Sequence, residues 1–346
     1  ELGPTLGGSA HRLSGSIDGM SASAWVQAAE VELATCADVR IIKRGVVFGY
    51  HDHNFLTIRE SLNDHLPLAQ RSGFRERLWR VRAAQVVLAT GSHERPMVFG
   101  NNDLPGVMLS SAMADYLQLY GVLVGKNLVL LTNNDTAYAD ALALKAAGAA
   151  VTVVDTRPDG KNVGELVQQA KAAGVTVLRG HVPLQASGSV AVTSITVCQM
   201  VGDRASGNRH VLACDALGMA GGWNPAIHLY SHSGGKAVWN DTACSFQPGT
   251  PMANQASVGA CTATTGLAQS LLEASQAGAR AASAAKEAAY QDAQAQLAAQ
   301  NDLVKQQAAD LAKAAEQAKA SQAAQAALTT QTAAQLAEQA AAQAKA

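Results

Sequence analysis

Leu88 to Gly106 reads LATGSHERPMVFGNNDLPG and holds the residue types in this chain best suited to chemistry. It follows a short β-branched run, Ala84 to Ala89 (AQVVLA), which is expected to be a strand buried on both faces within a parallel sheet. Thr90-Gly91 ends that run. A small residue followed by glycine lets main chain approach a pyrophosphate or ribose where a larger side chain would collide. A dinucleotide site is therefore the leading expectation.

Other candidates point elsewhere and are weaker. His51 and His53 flank Asp52 and would share a strand face, but no Cys, His or Glu cluster at ligand spacing completes a metal shell. His228 and His232 stand four apart without the intervening Glu of a zinc protease. Both pairs read as polar surface histidines. Cys36, Cys198, Cys214, Cys244 and Cys261 form no C-x-x-C pair, so neither a disulfide framework nor a zinc ribbon is expected, and a reducing cytoplasm fits. Lys and Arg number 26 against 27 Asp and Glu, with no basic stripe among aromatics, which argues against a nucleic-acid partner. No apolar run reaches the roughly 18 residues of a membrane span, so no membrane is expected either. ELGPTLGGSAHRL lacks a charged segment before an apolar core and does not read as a signal peptide.

The elements that must position a dinucleotide are only partly in view. Such a fold opens with a strand, a G-x-G-x-x-G turn, a helix and a second strand ending in an acid. Glu1 would be that acid and Leu6-Gly7-Gly8-Ser9 the turn after it; the alternative, a polar start with a Gly-rich turn, stays open. Ser21 to Thr35 is expected to be a helix with Trp25, Val26, Ala29, Val31 and Leu33 on one face and Ser21 or Ser23 as cap. Val39 to Ile42 and Val46 to Tyr50 read as strands, as does Leu78 to Val81. Backbone at Val46-Val47-Phe48 could meet an adenine edge.

From Asn127 a second βαβ unit is expected: strand Leu128 to Leu131, helix Thr136 to Ala147 stopped by Gly148, strand Val151 to Val154 capped by Asp155. Its turn is Thr132-Asn133-Asn134-Asp135, with no glycine. Asparagine tolerates the left-handed angles such a turn needs, but Asp135 brings negative charge to the helix end where a phosphate would sit. This unit is read as a scaffold without its own dinucleotide. An αβ segment at Val163 to Leu178 and a β-rich return at Val190 to Val211 follow, leading to Cys214-Asp215-Ala216-Leu217.

Residues 1 to about 285 resemble the middle of the alpha subunits of heterotetrameric sarcosine oxidases, which are relatives of amino-acid and opine dehydrogenase alpha subunits. The resemblance is carried by Leu6-Gly7-Gly8-Ser9, Ile17-Asp18-Gly19, Phe48-Gly49-Tyr50, Asp52 to Phe55, Leu78 to Ala83, Ala89-Thr90-Gly91 and Glu94-Arg95-Pro96. Asn102 to Met108, Thr132 to Asp135, Gly221 to Pro225, His228-Leu229 and Ser233 to Lys236 extend it. It implies part of a flavoenzyme that oxidises sarcosine to glycine. It further implies tightly held NAD here, with FAD possible in the same fold, and flavins on a beta-type flavoprotein partner. Carried over by motif, the ribose acid falls on Glu1, the phosphate-side turn on Gly7, Gly8 and Ser9, and the adenine-side strand on Val47. Thr90 and Gly91 are the strand end. Val258-Gly259-Ala260 matches a late motif whose amides would face the pyrophosphate, with Leu267 nearby. No catalytic residue or metal ligand is implied.

The family's first βαβ and folate-binding regions have no counterpart in this sequence. After about Ala277 composition turns to Ala, Gln, Lys and Glu, and a long helix is expected. Leu297, Leu303, Val304, Leu311, Leu328 and Leu336 are too sparse for a sustained heptad seam, so a solvated extension is favoured over an interaction helix. The expected architecture is α/β: an FAD/NAD(P)-binding-like, Rossmann-type domain interrupted by a smaller inserted βαβ domain, plus a long Ala-rich C-terminal helix. The outer domain would hold residues 1–120 and 212–278, the insert 121–211 and the tail 279–346. The contrasting reading is a non-catalytic scaffold or fragment that binds a partner through Gly221 to Lys236 and holds no nucleotide.

Overall fold

The computed structural model describes residues 1–13, 15–158, 160, 164–252 and 254–343, the side chains only to 337. A 3₁₀ turn (Gly8–Arg12) and a short hairpin, β1 (Ser16–Ile17) with β2 (Met20–Ser21), lead into α1 (Ala22–Thr35). The Ser21 hydroxyl accepts from the Ala24 amide at 3.2 Å, capping the helix as its sequence suggests. Its buried face is shorter than expected. Trp25, Val26 and Ala29 are half-buried, whereas Val31 and Leu33 are exposed.

β3 (Gly45–His51), β4 (Phe55–Ser61) and β5 (Glu76–Arg82) make an antiparallel meander. The strand expected at Val39 to Ile42 does not form; those residues have no ladder partner, and the Ile42 carbonyl instead accepts from the Glu1 ammonium at 2.9 Å. β6 (Val86–Leu88) follows, then β7 (Ser92–Glu94), after which the chain enters a second α/β region.

That region runs β8 (Val107–Leu109), α2 (Ser110–Tyr120), β9 (Asn127–Thr132), α3 (Thr136–Ala146), β10 (Ala150–Asp155), α4 (Glu165–Ala172), β11 (Thr176–Arg179). The expected αβ segment is present, although its first residue, Val163, lies outside the described residues. β12 (His181–Gly188), β13 (Val192–Val201) and β14 (Arg204–Ala213) form an antiparallel sheet, and β15 (Ala216–Ala220) returns to the parallel one. The parallel order is β11-β10-β9-β15-β8. Both faces of this sheet are covered, which is why Leu128 to Leu131 in β9 are all apolar. Leu128 and Leu130 pack toward α2, α3 and α4, while Val129 and Leu131 pack against β12 to β14 through Ile195 and Val197. Because β15 pairs with β9 and β8 pairs with β15, the sheet takes in residues on both sides of 121–211.

The chain leaves through β16 (Trp223–Pro225), which pairs antiparallel with β7, so entry and exit run side by side. α5 (His228–His232), the hairpin β17 (Ala237–Asn240) with β18 (Ser245–Pro248), and β19 (Gln255–Ser257) follow. β19 lies parallel to β6 with Leu88 opposite Ser257. α6 (Leu267–Gln343) ends the fold, beginning some ten residues before the compositional change. By contacts the chain divides into Glu1–Ala281 and Ala282–Ala346. In the second unit Leu297, Leu303, Val304, Leu311, Leu328 and Leu336 are all exposed.

Candidate functional site

β6 and β19 are parallel neighbours, so their carboxyl ends point the same way. Thr90-Gly91 leaves one and Gly259-Ala260 the other, and the Val258 amide donating to the Leu88 carbonyl at 3.0 Å keeps the two turns together. This is the sheet edge at which α/β folds bind nucleotides. Gly91 adopts φ +74° and Gly259 φ +72°, left-handed values that favour glycine. A Cβ on Gly91 would meet no atom within 4 Å, so the space beside it is open.

Thr90 has a structural role that was not foreseen. Its hydroxyl donates to the Ala226 carbonyl at 2.7 Å, and the Ala226 amide returns a bond to the Gly91 carbonyl at 2.9 Å, pinning the turn to the segment after β16. The Gly259 amide is likewise engaged: it donates to Glu273 Oε2 at 3.0 Å, and the Thr264 hydroxyl and Gln269 amide donate to Oε1. The amide bond from Gly259 first, then those side chains, hold the Glu273 carboxyl below the usual carboxylate range. Leu267 begins α6 and is half-buried.

A second group forms on another sheet. The Gly45 amide donates to the Glu1 carbonyl at 2.9 Å, which brings Glu1 beside the start of β3 and within two residues of Val47. The Glu1 carboxylate is exposed and accepts from the Gly3 amide at 3.0 Å. A β-bulge interrupts the ladder between Val47 and Gly49. Gly7, Gly8 and Ser9 are exposed at the entry of the 3₁₀ turn. The three groups are carried by separate elements: the Val258–Leu88 bond holds Thr90-Gly91 near Gly259-Ala260, and the Gly45–Glu1 bond holds Glu1 near Val47.

The inserted βαβ unit is closed at the corresponding place. Asp155 is fully buried and accepts from the Tyr138 hydroxyl at 2.8 Å and from Arg157 Nε and Nη2 at 3.0 and 2.8 Å. Burial pushes this carboxyl up, but the Arg157 and Tyr138 hydrogen bonds outweigh it and leave it below its ordinary value. Arg157 also pairs with Asp135 at 2.7 Å, at the α3 N-terminus. Neither the ribose acid nor the helix end is left to a ligand.

His51, His53, His228 and His232 are all exposed, as expected of polar surface histidines. His232 Nδ1 accepts from the Tyr50 amide at 3.2 Å, with its ring 5.0 Å from His51, while His228 lies 5.9 Å from His93. Among the described residues no group of three or more His, Cys, Asp or Glu could hold a metal ion. A cavity of about 440 Å³ lined by His51, Asp52, His53, Arg82 and Met252 lies at the amino ends of β6 and β19, opposite the Gly91 edge. No helix of the described residues is long and apolar enough to cross a membrane.

No family model matches the chain. The sarcosine oxidase alpha subunit of Corynebacterium sp. (strain P-1) is 40% identical over 272 residues, covering 78% of this chain and 28% of that protein. That of Rhizobium meliloti (strain 1021) is 37% identical over 276 residues, 78% of this chain and 26% of its own length. The chain is a relative of sarcosine oxidase alpha subunits. It spans little more than a quarter of the length of these alpha subunits. Among solved structures, T. acidophilum thioredoxin reductase superposes with a TM-score of 0.60 at 16% identity, covering 84% of this chain and 89% of that one. P. horikoshii L-proline dehydrogenase gives 0.52 at 19% identity over 75% and 45%. The fold is accordingly the Rossmann-like α/β fold of FAD/NAD(P)-binding oxidoreductases, with a long C-terminal helix added.

Proposed function

We propose that this chain is the NAD-holding portion of a sarcosine oxidase alpha-type subunit. In this reading it belongs to a cytoplasmic multi-subunit flavoenzyme that oxidises sarcosine to glycine, with flavins on a beta-type partner. The observation that carries it is the parallel β6–β19 pair, whose glycine turns leave one sheet edge together beside open space. Identity to the alpha subunits over 78% of the chain supports the same reading. Glu1 would accept from the ribose hydroxyls, and Val47 main chain would meet the adenine. Gly7, Gly8, Ser9, Gly259 and Ala260 would face phosphates, with Thr90, Gly91 and Leu267 shaping the walls. Bound NAD would supply a nicotinamide able to accept a hydride; FAD fits the same type of fold. Residues 1–120 and 212–278 would form the outer domain around an insert at 121–211, with a tail at 279–346.

A second reading, a scaffold without nucleotide, is favoured by the Glu273 carboxylate seated on the Gly259 amide. Denaturing the purified protein and assaying the released fraction for nucleotide separates the two. About one NAD per chain is expected; a fraction free of NAD and flavin overturns the first reading.

A further inference from the structure

His11 follows the Gly7–Ser9 turn by two residues and is bonded through both ring nitrogens. Nδ1 lies 2.9 Å from the Gly8 carbonyl and Nε2 lies 2.8 Å from Asp115 Oδ1 on α2. A carbonyl oxygen only accepts. Asp115 Oδ1 also accepts here: Arg12 Nε stands 3.2 Å from the same oxygen, so the carboxylate faces two donors. With an acceptor at each nitrogen, both must donate, and only the imidazolium does so. The neutral ring would set a lone pair against one of the two oxygens and lose that bond.

The turn has few other ties. Gly8 adopts φ +52° with no atom within 4 Å of where a Cβ would stand, so nothing packs on that side of it. The Ala10 amide closes the turn on the Gly7 carbonyl at 2.9 Å. The charged groups facing His11 are Asp115 from α2 and Arg12 from its own turn. Beyond Arg12 stand Asp140 from α3, 4.0 Å from Arg12 Nη1, and Glu94 from β7, which accepts from the Ser111 amide.

We infer that His11 is a positioning residue: as the imidazolium it ties the Gly8 carbonyl to Asp115 and so fixes the turn that would meet a phosphate. The link between turn and nucleotide rests on the proposed NAD site, whereas the tie itself does not. A ring that gives up its proton can keep only one of the two bonds, so the tie holds in full only as the imidazolium. The pyrophosphate of NAD carries the same charge at about pH 6 and pH 8, so a difference in affinity between them reports the protein.

The test uses the full chain, its His11→Gln and Asp115→Asn variants, hydrogen exchange of residues 8–13 corrected for intrinsic rates, and NAD titration at about pH 6 and 8. In the wild type, protection of 8–13 is expected to fall about tenfold between the two pH values and NAD affinity to weaken several-fold. Both variants are expected to be less protected and flat with pH. A flat wild-type profile, or variants that keep the step, overturns the inference. A wild type that shows the exchange step but binds no NAD at either pH sinks the proposed NAD site and the turn's phosphate role, leaving the tie.

Discussion

Gly7 and Gly8 are adjacent, and glycine is demanded at each for a different reason. Gly7 has φ +95°, and a Cβ there would stand 2.8 Å from Val26 Cγ2; Gly8 has φ +52° and open space. Gly7→Ala is expected to destabilise by about 3 kcal/mol, combining left-handed strain with overpacking on α1. Gly8→Ala is expected to lose only about 1 kcal/mol. Denaturant unfolding of both variants checks this; equal losses would mean that contact with Val26 does not matter. Glu273 is the other telling residue. If pyrophosphate is to use the Gly259 amide, this carboxylate must give it up, so Glu273→Gln should bind NAD about threefold to tenfold more tightly. Calorimetric titration would read that gain, and unchanged or weaker binding would show that the carboxylate supports the site instead. Nothing in the spacing pointed from Glu273 back fourteen residues to Gly259, since helical periodicity relates neighbours within a turn.

At the scale of elements, two buried carboxylates carry opposite pH signs. Asp155 is held below its ordinary range, so what it contributes is present above that range and lost as pH falls through the depressed value. Asp155→Asn removes the carboxylate 3.6 Å from buried Arg179 and one of the two that pair with Arg157, and is expected to cost about 3 kcal/mol at neutral pH. Glu94, on β7, is pushed up by burial, and the charge of Asp140 adds to this. Its folded form binds the proton more tightly than the unfolded chain does, so ionisation as pH rises removes stability. Glu94→Gln should match the wild type near pH 4 and exceed it by about 1 kcal/mol near pH 8. Calorimetric melts at both pH values decide it, and a variant less stable at pH 8 would refute the assignment. These elements differed in how readily their sequence could be read. β9–α3–β10 was plain because apolar strands, a helix stop at Gly148 and Asp155 all agree locally. The strand expected at Val39 to Ile42 has the right composition but no partner to ladder with, and partner availability is a tertiary property. Asp155 reads equally well as a ribose acid or as an ion-pair anchor until Arg157 and Tyr138 are seen on it.

For the molecule as a whole, the parallel sheet with its antiparallel cover is visible in the pattern of apolar runs, but the pairing of β6 with β19 is not. Those strands stand more than 160 residues apart and share no local signal, yet they bring the two glycine turns together. The Ala-rich helix from about 282 onward was legible from composition alone, because its described apolar side chains, Leu297 to Leu336, are exposed and helix propensity decides the structure there. Hydrogen exchange of the full chain with and without NAD tests the location of the dinucleotide most directly. Added NAD should slow exchange at 7–9, 46–48, 89–92 and 258–261 and leave 132–136 unchanged. Protection confined to 132–136 and 155–157, or no protection anywhere, would contradict a nucleotide at the edge formed by Gly91 and Gly259.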